Sequence, residues 1–308
     1  MIAFLAAAVI AATPLLFATL GELLTEKSGS LNLGVEGMML LGAVVGFLSG
    51  YHTGNAVLAL VGAWVAGAAG GALFALLTVS LRANQTVTGL TLTIFGSGVA
   101  RFLGDDLIGL SVPAAVQRVF KPVALPLLSR IPGLGPVLFS QDVFVYLGYV
   151  CVVLVALYLY RTRPGYNVRA VGENAAAADA AGIHVTAHKY AHIIVGGGLC
   201  GLGGAYLALV TVPMWQADVV NGRGWIAVAL VIFASWNPFK AFVGAYLFGA
   251  LSILGLRLQS AGIHLSQYLV DLFPYLACIV IVVISTHKNR REDLPPANLS
   301  VPYFREER

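Results

Sequence analysis

No charged residue precedes Glu22, and apolar runs of similar length recur as far as Ser285. A helix rises 1.5 Å per residue, so about 20 apolar residues cross roughly 30 Å of hydrocarbon. Runs that meet or approach this length are Ile2–Leu24, Leu33–Gly50, Ala56–Leu81, Val87–Phe102, Val143–Tyr160, Tyr190–Val212, Trp225–Ser235, Phe239–Leu258 and Tyr268–Ser285. The fourth and seventh are short. Such runs are expected to be broken or re-entrant, because non-helical backbone survives at membrane depth only where protein or a water-filled cavity surrounds it. Of the 308 residues, 58% are apolar and 10% charged, whereas a soluble chain carries about 25% charged residues. Lipid must therefore be the solvent for most of the chain. The expected fold is an all-α integral membrane protein of about nine (8–10) transmembrane helices.

Residues 1–287 are expected to form the transmembrane domain and 288–308 a solvated tail. Met1–Leu20 lacks the basic n-region of a secretory signal peptide and outruns its h-region, so it reads as the first span. With the N-terminus outside, twice as many Lys and Arg fall on the inner side as on the outer. The inner set is Lys27, Arg82, Arg161, Arg163, Arg169, Lys189, Lys240, Lys288, Arg290, Arg291, Arg305 and Arg308. The outer set is Arg101, Arg118, Lys121, Arg130, Arg223 and Arg257. The positive-inside rule then places the C-terminus inside. The net charge of +4 serves this orientation and is no nucleic-acid signal. The proline-bearing loop 103–142 reads as an outer cap with one short helix. Cys151, Cys200 and Cys278 stand apart in apolar runs, at no metal or redox spacing, and read as small hydrophobes.

Polar groups inside the spans are the candidates for function. Glu36 lies near the start of a span, four residues after Asn32, and the two share a face if the segment is helical. An intramembrane carboxyl is costly and by default functional. Asn32 and Glu36 either hydrogen-bond a polar cargo, or Glu36 ties a broken helix to its neighbour or faces water at the interface. Asp271 is weighed in the same way. Asn84, Gln85, Thr86, Thr88, Thr91 and Thr93 put polar groups on the short fourth span. They either line a path or, for the threonines, bond their own helix's carbonyls. Trp225 stacks on a ring or anchors at the interface, and Trp215 and Trp236 read as interface anchors. His184, His188 and His192 share one helical face. No Cys joins them, so a polar face beside headgroups is expected and no metal site. The glycines from Gly196 to Gly204 mark a helix for close packing. Gly71–Phe74 and Gly244–Phe248 read as openings of two similar helices, either the trace of an internal repeat or Gly-Ala helix packing alone.

The connection from Arg161 to Ile183 is unlike an ordinary loop. Asn174 can cap a helix and Gly182 can end it. The residues between are alanines and Asp179, too short a helix to stand alone and without the apolar bulk that would dip into lipid. A smooth, capped helix of this kind suits a groove on another protein.

The motif Gly172-Glu173-Asn174, Ala177-Ala178, Gly182-Ile183, with the Gly-rich helix that follows, resembles the coupling segment of ABC-importer permeases. The branch it resembles most carries simple sugars and nucleosides. Glu26–Met39, Asn84–Leu90 and Gly222–Leu230 resemble nucleoside-importer permeases, and the similarity spans residues 13–287. The resemblance implies a cytosolic ATPase that docks on Gly172–Ile183, a second and different permease chain, and a substrate-binding lipoprotein outside. It also implies a multi-pass location in a bacterial inner membrane and movement of a nucleoside or ribose-like sugar by alternating access. No Gly-x-x-x-x-Gly-Lys-Ser/Thr loop is present, so ATP and Mg are expected on the partner and no cofactor in this chain. Two other classes remain open. An ion-coupled transporter would use Glu36 or Asp271. A membrane enzyme would need a motif such as Gly-x-Ser-x-Gly or His-Glu-x-x-His, and neither occurs.

Overall fold

The computed structural model describes residues 2–260 and 294–305, with single positions between them (266, 269, 272–273, 275–277, 279–280 and 283). The ninth expected span, with Asp271 and Cys278, lies largely outside the described residues. Among these, seven helices are long and apolar enough to cross a membrane, and Arg223–Phe233 is a shorter apolar helix.

In chain order the helices are α1 (Ile2–Lys27), α2 (Val35–Thr53), α3 (Ala56–Ala75), α4 (Gln85–Gly104), α5 (Ala114–Val119), α6 (Leu134–Leu138), α7 (Val143–Arg161), α8 (Arg163–Glu173), α9 (Ala175–Ala180), α10 (Val185–Tyr206), α11 (Arg223–Phe233) and α12 (Pro238–Ser260). Single π turns, Leu76–Ser80 and Leu207–Thr211, extend α3 and α10. The strands β1 (Val123–Ala124) and β2 (Ser140–Gln141) pair antiparallel. Short polar side chains start several of the helices. Asn55, Asn84, Asp142, Thr162 and Asn174 accept backbone N–H bonds at the first turns of α3, α4, α7, α8 and α9, which satisfies donors that a helix start leaves open. Asp142 also accepts the Tyr206 hydroxyl at 2.9 Å, and burial holds its carboxyl above the usual range.

The centre of the bundle is α10, packed against α1, α2 and α3. Its glycines make this possible. A Cβ at Gly201 would strike the Ala63 carbonyl of α3, and one at Gly42 of α2 would strike Gly201. Gly196 meets Gly21 of α1, and Gly204 meets the Met39 carbonyl. Backbones thus touch where side chains would hold the helices apart.

Charge segregates along the bundle. Gly172 of α8 lies against the Lys27 carbonyl, Arg82 stacks on Phe304, and Arg305 pairs with Asp179 at 3.3 Å. This basic end therefore gathers the end of α1, the end of α3, α8, α9 and the tail. Arg101 lies at the opposite end of α4, paired with Asp218 at 3.1 Å.

Several boundaries differ from expectation. The fourth span is full length, because α4 starts at Gln85 and runs to Gly104. Arg101 and the small residues around Gly96 lower its hydropathy without ending it. The second span starts late, since Leu33 and Gly34 precede α2. The seventh is short, as expected. The 103–142 cap is more structured than one helix. It holds α5, α6 and the two strands, with Val116, Phe120 and Val137 buried in the main core. Gly71–Phe74 lies near the C-terminal end of α3 and Gly244–Phe248 in the second turn of α12, so these matches do not open similar helices.

The close packing gives a direct test. Gly201→Ala must push α3 and α10 apart, at a cost of about 1–3 kcal/mol. Gly98, whose Cβ would meet nothing within 4 Å, should accept alanine with an unchanged or higher melting temperature in detergent. Equal melting behaviour for the two variants would refute backbone contact at Gly201.

Candidate functional site

Two helices begin inside the bundle. After α1, Ser28 and Gly29 donate to the Thr25 and Glu26 carbonyls, and Gly29 takes φ +81°, which reverses the chain. Residues 30–34 then run back beside α1 and α4. Their backbone groups cannot reach water, and side chains take its place. Leu31 N–H donates to Gln85 Oε1 at 2.7 Å, Asn32 N–H to Glu22 Oε1 at 3.0 Å and Gly34 N–H to Asn32 Oδ1 at 2.9 Å. Thr93 Oγ1 donates to the Leu33 carbonyl at 3.1 Å. This is how non-helical backbone is kept at membrane depth.

The second break comes from the other end. Beyond α10, Trp215 is held in register with the outer loop by bonds between its N–H and the Leu110 carbonyl (3.0 Å) and between Gly109 N–H and its own carbonyl (3.2 Å). The chain then enters the bundle and α11 starts after Gly222, at φ +78°. Glu36 joins the two breaks. Its Oε1 accepts Gly222 N–H at 2.8 Å and its Oε2 accepts Gly224 N–H at 2.6 Å. Glu36 also sits in the first turn of α2. One carboxylate therefore lies at the positive ends of two helix dipoles, which stabilises its charge. A Cβ at Gly224 would collide with the Glu36 backbone, so α11 can approach only as glycine. The unit α1–turn–α2 and the unit α10–loop–α11 run in opposite directions, an inverted arrangement of broken helices.

Sequence reasoning missed a second pair of carboxyls beneath this junction. Glu22 and Glu26 lie one turn apart on α1 at 0% and 1% exposure. Glu26 accepts the Trp236 indole N–H, which ties the α11–α12 connection to α1. One oxygen of each, Glu22 Oε2 and Glu26 Oε1, is buried without a hydrogen-bond partner among the described residues. The signal was available as two acids four apart at the end of an apolar run.

The predicted path residues separate. Asn32, Glu36, Gln85 and Thr88 are buried around the first break; Asn32 and Gln85 hold its backbone, and Glu36 holds that of the second. Asn32 precedes α2, so it does not share a helical face with Glu36. Thr91 bonds its own helix at the Val87 carbonyl, and Asn84 caps α4. Trp225, beside the junction, is 37% exposed. Trp215 and Trp236 are buried at 1% and 3% and are not interface anchors, because Trp215 packs on Gly104 and Phe47 and Trp236 serves Glu26. Arg223, counted with the outer cations, opens α11 within the bundle and donates to the Val219 and Val220 carbonyls. His192 is buried, within 2.9 Å of the Tyr158 hydroxyl, and stacks on His188, so it is core and not part of a headgroup face.

At the basic end, Asn174 Oδ1 accepts Ala177 N–H at 2.9 Å and Gly182, at φ +84°, ends α9. Ala175 and Ala178 are buried with Val171 and Val185, while Ala176, Ala177, Ala180 and Ala181 are exposed. Glu173 is exposed, Ile183 packs against the small core under α9, and Gly172 lies flat on the turn at Lys27 and Gly29.

A multi-pass helical bundle in which two helices begin in the interior, joined through one carboxylate, has the build of a transport permease. The chain belongs to the family described as branched-chain amino acid transport system / permease component, which it matches over residues 4–284. It is 43% identical to a putative glucose ABC transporter permease protein of Haloferax volcanii, over 84% of this chain and 78% of that one. It is 30% identical to a guanosine ABC transporter permease protein of Bacillus subtilis, over 98% and 96%. It is 32% identical to a nucleoside ABC transporter permease protein of Lactococcus lactis subsp. cremoris, over 88% of each. No solved structure matches it significantly. The chain is thus a multi-pass membrane permease subunit of an ABC importer.

Glu36→Ala leaves two buried N–H groups without acceptors and should cost about 2–6 kcal/mol. Glu36→Gln keeps one acceptor and should cost less, with its melting temperature between wild type and Glu36→Ala. If the alanine variant melts with wild type, the carboxylate does not hold the junction.

Proposed function

We propose that the chain is one of two different permease subunits that together carry a nucleoside, or a related ribose-like sugar, into the cytoplasm. A separate ATPase drives the cycle and holds ATP and Mg, and a lipoprotein delivers cargo at the end opposite the basic one. The basic end faces the cytoplasm, as the Lys and Arg distribution favours. The observation that carries this reading is α9. It is a capped helix with an exposed face of alanines, presented at the charged end of a bundle in which residues 172–183 match the coupling motif.

This chain makes and breaks no bonds. Its part is to open a weak central path alternately to each side. Trp225 offers a partly exposed ring face beside the junction of α2 and α11. Nucleosides and sugars are the cargoes for which the similar permeases are named, guanosine and nucleosides for two of them and glucose for a third. The ion-coupled alternative loses its first carboxylate, because both oxygens of Glu36 accept backbone N–H bonds.

Two measurements test the reading. Ala177→Arg places bulk and charge on the exposed face of α9. It should weaken capture of the partner ATPase at least tenfold without moving the melting temperature, and unchanged capture would sink the docking assignment. Trp225→Ala should lower uptake of labelled guanosine by about tenfold, since base–aromatic stacking contributes about 1–3 kcal/mol. Full uptake in that variant would remove Trp225 from the path.

A further inference from the structure

The tail packs on the docking helix. Residues 294–305 cross the basic end, with Asn298 N–H donating to the Gly172 carbonyl at 2.9 Å. The Tyr303 hydroxyl donates to Asp179 Oδ2 at 2.7 Å, and Arg305 Nε lies 3.3 Å from the same oxygen. Tyr303 packs on the small core of Val171, Ala175, Ala178 and Val185 beneath α9. Phe304 receives the Arg82 guanidinium 4.5 Å above its ring, which fastens the far end of the strap to the end of α3.

The strap also borders the first break. Pro302 and Tyr303 line a cavity of about 20 Å³ with Thr78, Gln85 and Lys189. Gln85 is the residue that holds Leu31. Beside it, a groove of about 580 Å³ opens between the strap, the end of α3 and the start of α10, lined by Arg82, Asp179, His184 and Arg305. Val301 and Pro302, the two residues before Tyr303, are exposed.

We propose that the ATPase seats on a composite surface, the alanine face of α9 together with the strap 294–305, and that the strap fixes α9 to the bundle so that a push on it reaches the first break. A six-residue helix of alanines cannot transmit force unless its buried side is held. Asp179 is the only residue between Ala175 and Ala180 with a side chain longer than a methyl group, and both of its strap contacts use it. The inference rests on the reading of α9 as the docking helix and adds the tail to it.

The test uses the full importer in proteoliposomes with labelled guanosine, and reads ATPase binding and the ATP hydrolysed per solute imported. A chain ending at Asp293 should bind the ATPase at least tenfold more weakly. Tyr303→Phe and Asp179→Asn, which keep the volume of the side chain, should leave the amount of permease in the membrane unchanged and raise ATP consumed per solute several-fold. Wild-type binding and an unchanged ratio in these variants would overturn the proposal while leaving the docking assignment intact. If the truncated chain does not reach the membrane, the two point variants decide alone. A wild-type chain that captures no ATPase would instead overturn the docking assignment, and the strap proposal with it.

Discussion

Two helix N-termini meet in the interior around the carboxylate of Glu36. Each half-helix start brings N–H groups to a place without water, and an unpaired buried donor costs about 1–3 kcal/mol. A single acid, placed in the first turn of α2, accepts from Gly222 and Gly224 at the start of α11. The arrangement requires glycine at 224 for approach and a left-handed backbone at 222. The neighbouring break is held by the same means, with Glu22, Gln85 and Thr93 standing in for solvent along residues 31–33. Most intramembrane polar groups here therefore hold the fold open at its breaks, and cargo would meet surfaces those breaks create.

The packing around the breaks is of the opposite character. Lipid tails are as apolar as leucine, so helices in a membrane gain little from burial and rely on close van der Waals contact. Glycines on α10, α1, α2 and α3 supply it by bringing backbone to backbone. Smooth contacts of this sort have few interlocking side chains to lose when helices shift. Directional bonds are concentrated at the breaks and at the caps.

Much of this was legible in the chain itself. Apolar runs located the spans, and Asn174 with Gly182 delimited α9 as found. Short-range chemistry explains both successes. The failures share a cause as well. Hydropathy placed Leu33 in a span because an apolar residue in a re-entrant turn looks like one in a helix, and it shortened α4 because glycines and Arg101 look like an ending. Trp215 and Trp236 read as anchors because nothing local announces that a distant loop or a buried Glu26 receives them. Glu36 was recognised as important, yet its partners lie more than 180 residues away, a pairing that only the folded chain discloses.

The position of α8 connects these observations. Gly172 has no side chain and lies on the Lys27 carbonyl and the Gly29 backbone, at the turn that starts the first break. A Cβ at 172 would lift the docking segment away from that turn. On the proposed docking, displacement of α8 and α9 would reach Gly29, three residues before Asn32 and seven before Glu36, with no flexible side chain between. The motif at residues 172–183 and the polar signature that follows α1 are distant in sequence, but they touch at Gly172. The Glu36 bonds to Gly222 and Gly224, with the Trp236 bond to Glu26, join α11 to α1 and α2, so the same framework that closes the breaks ties the two halves together.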